Sequence, residues 1–134
     1  MTIVGKISNQ VETALNLNKI NNRNIYIGKT NIEHMKNSHP RDFAKYRNEI
    51  SKILSDPDYV GLNKKDNSIE YVKEYKIDNE YVKVAVRVSR GNRFYARSLY
   101  VLNKRRVENF ISKGTLIPLD KYNKIEYNIN EVQE

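Results

Sequence analysis

His34 and His39 are the two histidines of this 134-residue chain. Imidazole changes charge near neutral pH, so either residue could donate or accept a proton there. Arg87 and Arg97 lie on a β-prone stretch further on, and a guanidinium presents a planar fork that can meet two phosphate oxygens at once. Together these groups suit one metal-free reaction. Cleaving an RNA phosphodiester requires a base for the 2′-hydroxyl, an acid for the leaving 5′-oxygen and cations to stabilise the pentacoordinate phosphorane. Each residue also has an ordinary reading. His34 beside Ile32 and Met35 could be a packed histidine, His39 before Pro40 a turn residue, Arg87 and Arg97 exposed cations, and Tyr100 a core aromatic.

Other chemistries find less support. The chain has no cysteine, which removes disulfides, thiolate metal sites and a thiol nucleophile. A spacing of five does not bring His34 and His39 onto one helix face, and Pro40 interrupts the helix, so no metal site is expected. Gly28 and Gly61 stand alone and Gly91 falls in a hairpin, so no phosphate loop appears and no cofactor is expected. No apolar run approaches the ~20 residues of a membrane span, and no basic-then-apolar leader opens the chain. The expectation is a soluble cytoplasmic protein without a membrane partner.

Charge narrows the choice further. The formal charge is +8, and no acid occurs between Tyr81 and Val107, where Lys83, Arg87, Arg90, Arg93, Arg97, Lys104, Arg105 and Arg106 all fall. From Asp120 onward four acids face Lys121 and Lys124. A basic patch of this kind fits a polyphosphate partner such as RNA, bound with counterion release, although a solvated basic surface has the same composition.

The elements that must position these groups follow from periodicity. In Tyr81–Tyr100, Val82, Val84, Val86 and Val88 alternate with Lys83, Ala85, Arg87 and Ser89, which predicts a strand with a buried valine row and a displayed row ending in Arg87 and Ser89. Arg90-Gly91-Asn92 predicts a tight turn, and Arg93 to Val101 an antiparallel return strand. On a regular strand Arg97 points away from both Ser98 and Tyr100, so one site can use all three only through a bulge or at the sheet end.

Upstream, residues 10–17 predict a short helix and Asn24 to Gly28 a strand at a sheet edge. Thr30 and Glu33 have capping-box spacing, so a helix should begin at Asn31 and carry His34, with His39 at the bend before Pro40. Phe43, Tyr46, Ile50, Ile53 and Leu54 form one stripe, predicting an amphipathic helix of about four turns over Arg41–Leu54. Tyr59–Leu62 and Ser68–Ile77 are β-prone, with a turn at Asp78-Asn79. Asn103 caps a predicted helix running to Lys113 that turns Val107, Phe110 and Ile111 inward and ends at Gly114.

In this order, TNIEHMKNSHP, ILSDPDYV, NSIEYVKEY, VAVRVS and FYARSLYVL resemble the phage-associated members of the Barnase-EndoU-colicin-RelE-like nuclease superfamily. The likeness covers roughly Gly5 to Pro118. It implies a metal-independent endoribonuclease with its site on an antiparallel sheet, and a toxin-like role in a phage or mobile element is the further expectation. By matched position, His34 and His39 would be proton-transfer or substrate-orienting groups, Arg87 and Arg97 phosphate ligands, and Ser98 and Tyr100 hydrogen-bonding groups. Ser98 stands where many relatives carry threonine, which keeps the hydroxyl.

The expected fold is therefore α+β: N-terminal helices on an antiparallel sheet of about four strands, then a C-terminal helix. One domain over residues 1–118 would precede a polar tail, 119–134, that is either disordered or adds a strand at Lys124–Ile129. Lys83, Ser89, Arg90 and Arg93 would line the substrate path. RNA is the expected partner, with an immunity or antitoxin protein as a further candidate. Two rival readings are a non-catalytic nucleic-acid-binding module and an inhibitor that docks its basic face on a host protein.

Overall fold

The computed structural model describes residues 1–89 and 91–121. Among them are seven strands: β1 (Thr2–Lys6), β2 (Asn24–Ile27), β3 (Tyr59–Asn63), β4 (Ser68–Tyr75), β5 (Glu80–Val88), β6 (Phe94–Leu102) and β7 (Ile117–Pro118). They form one sheet in the order β1-β2-β6-β5-β4-β3-β7. The helices are α1 (Asn9–Ala14), α2 (Lys29–Ser38), α3 (Pro40–Tyr46), α4 (Ile50–Ser55) and α5 (Lys104–Ser112). The α+β class and the C-terminal helix match expectation, but the sheet is larger than four strands. It is also mixed, because β2 runs parallel to β6 through Ile25–Phe94 and Tyr26–Tyr95. A strand, not a helix, opens the chain, and it makes β2 an inner strand instead of an edge.

Both faces of the sheet are covered. Val82, Val84 and Val86 on β5 are fully buried in a core with Met35, Phe43, Tyr46, Ile50, Ile53 and Leu54 from α2, α3 and α4. The fourth valine, Val88, is 45% exposed at the hairpin end. The opposite face carries a smaller cluster in which Tyr81, Val72 and Leu102 meet Val107 of α5 and Leu116. The helices preceding β3 therefore pack on the valine face and leave the Arg87 row on the other side.

The stripe from Phe43 to Leu54 buries as its spacing predicts, yet the helix is not continuous. A 3₁₀ turn at Arg47–Glu49 separates α3 from α4. There Tyr46 (φ −113°, ψ 3°) donates to Glu80 and Glu49 accepts from Tyr75, so strand-borne side chains hold the break. The predicted Thr30–Glu33 box is absent as well. Instead β2 delivers the chain to Gly28 as N-cap, and the Gly28 N–H donates to the Asn31 side chain at 2.8 Å.

The hairpin turn closes through the Ser89 N–H on the Arg93 carbonyl, with Asn92 at φ 57°; Arg90 lies outside the described residues. Asn103 caps α5 by accepting from the Arg105 and Arg106 N–H groups, and Gly114 follows at φ 75°. Beyond Pro118 the chain is held to Asp56 and Asp58 by Lys121. The suggested strand at Lys124–Ile129 lies outside the described residues.

Candidate phosphate site on the β5–β6 face

Pairing between β5 and β6 orders the displayed face into three rows: Arg87 opposite Tyr95, Ala85 opposite Ser98, and Lys83 opposite Tyr100. Between Ala85 and Val86 the register shifts by one residue, so that Ala96 pairs with Val86, Ser98 pairs with Ala85 and Arg97 is the extra residue of a bulge. The parity conflict is resolved at that point. Ser98 and Tyr100 share a face with Arg87, while Arg97, freed from the ladder, lines the same cavity as Arg87.

That cavity, of about 340 Å³, is bounded by Arg87, Ser89, Tyr95 and Arg97 from the sheet and by Gly28 to Asn31 from the start of α2. No carboxylate is among these residues, although Lys29 is. The first N–H groups of a helix add positive potential directed at the same space. The Nε of Arg87 is buried and has no hydrogen-bond partner among the described residues. Two guanidiniums, a hydroxyl, a phenol and a helix start around a space without a lining carboxylate have the chemistry an anion would require.

His39 reaches this face by a different route. It ends α2 and begins α3 (φ −142°, ψ 73°), with Pro40 fixing the first turn of α3. Asp42 of α3 accepts from the Val101 N–H at 2.9 Å, tying the corner to the free edge of β6. His39 consequently stacks on Tyr100, with ring centroids 4.6 Å apart and planes inclined by 24°. The other partner of Tyr100 is Lys83, whose Nζ sits 4.7 Å from the ring centroid. Lys83 also pairs with Glu70 at 2.5 Å, both side chains being 13% exposed. Burial works against the Lys83 charge, but bonds to Glu70 and Tyr100 outweigh it and raise its pKa.

The middle row is the low one. Ala85 and Ser98 carry small side chains between the Arg87/Tyr95 row and the Lys83/Tyr100 row, so the face dips there. Tyr100 lies three residues along β6 from Arg97, about 10 Å at strand rise. His39 and the arginine cavity therefore flank the Ser98 saddle from opposite sides. His34 is exposed on α2 and lines neither this cavity nor the His39–Tyr100 stack. Of the residues read as substrate-binding, Ser89 lines the arginine cavity, Lys83 belongs to the Tyr100 row, and Arg93 instead lies over Tyr26 at 5.4 Å.

Three contributors were not visible from residue type: Glu70, Tyr95 and the Gly28–Asn31 helix start. Glu70 could have been suspected, since it stands mid-strand in Ser68–Tyr75, but the cation it would meet depends on strand register.

No curated protein and no solved structure matches the chain. The family described as phage-Barnase-EndoU-ColicinE5/D-RelE like nuclease 3 matches residues 2–109, a span that holds every element from β1 to β6 and the first two turns of α5. The chain belongs to this family of phage-type nucleases.

Proposed function

We propose that the protein is a metal-independent endoribonuclease that holds the scissile phosphate over Ser98. The observation carrying this reading is the acid-free cavity of Arg87 and Arg97, joined through the Ala85/Ser98 saddle to the His39–Tyr100 stack. The two guanidiniums bind the nonbridging oxygens and neutralise the charge that grows in the phosphorane. The Ser98 hydroxyl and Tyr100 orient the group by hydrogen bonds, and the Lys83 ammonium adds positive charge on the far side.

In the reaction the 2′-oxygen forms a bond to phosphorus as its proton passes to a base. The bond from phosphorus to the 5′-oxygen then breaks, and an acid protonates the leaving oxygen. The products are a 2′,3′-cyclic phosphate and a 5′-hydroxyl. His39 is assigned one proton-transfer role, because its ring is accessible and held by Tyr100. His34 is assigned the orientation of substrate that enters past α2. A phage or mobile-element toxin acting on RNA, countered by an immunity or antitoxin protein, fits this chemistry.

Incubating purified protein with mixed RNA and with single-stranded DNA in excess chelator tests the reading. RNA should be cleaved and DNA left intact, with Arg87→Ala/Arg97→Ala at least a hundredfold slower. Cleavage that requires added divalent metal, or none at all, would overturn it. A non-catalytic binding module is favoured by one feature, the lack of histidine in the lining of the arginine cavity. Salt-sensitive binding that leaves RNA intact would establish that alternative.

A further inference from the structure

A second concave region opens beyond Tyr100 and reaches round to residues 14–16 at the end of α1. It has a volume of about 830 Å³ and lies between the β3–β4 turn and α5. Lys64 and Lys65 line it from the turn, Arg106 from α5 and Lys113 from its C-cap, and Tyr100 and Phe110 supply aromatic surface. Its one acidic lining residue, Glu70, is already paired with Lys83.

The local structure fixes the backbone that carries these cations. The Asn63 side chain accepts from the Lys65 N–H at 3.0 Å, and Asp66 accepts from the Ser68 N–H at 2.9 Å, so the turn is closed by its own side chains. The Arg106 guanidinium lies 5.6 Å from the centre of the Phe110 ring. α5 is anchored below by Val107 in the smaller core.

A solvated basic helix face would spread its charge over a convex surface. Here cations from two elements distant in sequence converge on one hollow with an aromatic floor. Tyr100 and Lys83 border both this hollow and the saddle, so the two are continuous.

We infer that this hollow is an extension site for single-stranded RNA, binding the backbone and bases of nucleotides that lie beyond the scissile phosphate. The inference rests on the phosphate site proposed above. Backbone phosphates meet Lys64, Lys65, Arg106 and Lys113, and a base stacks on the outer face of the exposed His39 ring or against the half-buried ring of Phe110. Stacking combined with a basic groove is the usual recognition of an unpaired strand. A duplex keeps its bases from those rings and gains only the charge.

Fluorescence anisotropy with 2′-O-methyl oligoribonucleotides, whose blocked 2′-oxygen prevents cleavage, tests this at several salt concentrations. A strand of about ten nucleotides should bind at least tenfold tighter than one of about three. Arg106→Ala/Lys113→Ala, and separately Lys64→Ala/Lys65→Ala, should each cut that gain at least threefold. Each pair should lower the salt slope of the longer strand by about 1.4, at roughly 0.7 per phosphate contact on single strands. Trinucleotide affinity and the melting temperature should stay unchanged.

The inference is overturned if these variants leave the longer strand unaffected, if they weaken both lengths equally, or if a duplex of equal length gains as much. Arg87→Ala/Arg97→Ala in the same assay reports on the phosphate site alone. If that variant leaves trinucleotide binding intact, the phosphate site fails, while the length-dependent gain still shows whether the hollow binds RNA.

Discussion

Replacing Arg87 with methionine should separate binding from folding. The Arg87 Nε has no protein partner among the described residues, and the cavity it lines with Arg97 holds no carboxylate, so the substitution breaks no internal hydrogen bond there. Methionine keeps most of the aliphatic stem. A charge that notices the change is Asp66, whose carboxyl is held below its ordinary 3.8 mainly by bonds from Ser68, with Arg87 contributing less. Stability should therefore change by less than about 0.5 kcal/mol, as for a substitution that touches no core or buried pair. Binding should suffer more. Hydrogen bonds to charged groups contribute about 1.5–3 kcal/mol each, which at 1.4 kcal/mol per decade is roughly ten- to a hundredfold in affinity. Arg87→Lys keeps the charge but loses the fork, and should fall between the two. Anisotropy with a 2′-O-methyl trinucleotide and thermal melting measure both quantities. An affinity within twofold of wild type, or a melting temperature lowered by many degrees, would refute this account of the cavity.

Breaking the Lys83–Glu70 pair by Glu70→Gln or Lys83→Met should cost about 3 kcal/mol in urea unfolding, whereas Lys83→Met/Glu70→Leu should recover most of that loss. Tyr71→Phe should be neutral or stabilising by up to about 1 kcal/mol, because the fully buried Tyr71 hydroxyl has no partner among the described residues; a clear loss would reveal one. Gly61→Ala should destabilise by about 1–3 kcal/mol, since a Cβ there would collide with the Thr115 carbonyl oxygen that β7 brings over β3. Glu80 accepts from Lys45 at 2.5 Å and from Tyr46 at 2.6 Å, and these bonds hold its pKa below the ordinary 4.5. Its contribution is complete above pH 4.5 and is lost as pH falls through the lower folded value. Glu80→Gln should thus flatten that part of the acid limb and leave neutral-pH behaviour to the remaining pairs.

The residues show which parts of this arrangement periodicity could carry. Alternation in β5 and the Asn103 cap each depend on neighbours within a few positions and fold as read, and the stripe from Phe43 to Leu54 is buried as read although its helix is broken. Features set by distant partners were hidden. β1 carries no clear alternation and becomes a strand by pairing with β2, which in turn lies parallel to β6. The break between α3 and α4 depends on Glu80 and Tyr75, contributed by the sheet. The parity conflict of Arg97 with Ser98 and Tyr100 was legible, with a bulge or a site at the sheet end as its two solutions. The position of the bulge was not, because a bulge is defined by the partner strand. The two histidines looked equivalent at five residues' spacing, but the corner pinned by Asp42 brings His39 to Tyr100 and leaves His34 exposed on α2.

The central claim is chemical: the 2′-hydroxyl next to the phosphate held over Ser98 is the nucleophile. It is tested most directly by an RNA oligomer carrying one 2′-deoxy sugar at its cleavage position, incubated with the protein in chelator. Cleavage at that bond should stop while other bonds are still cut, and the unmodified oligomer should yield a 2′,3′-cyclic phosphate and a 5′-hydroxyl by mass spectrometry. Cleavage that proceeds at the deoxy position, or products bearing a 5′-phosphate, would contradict the account.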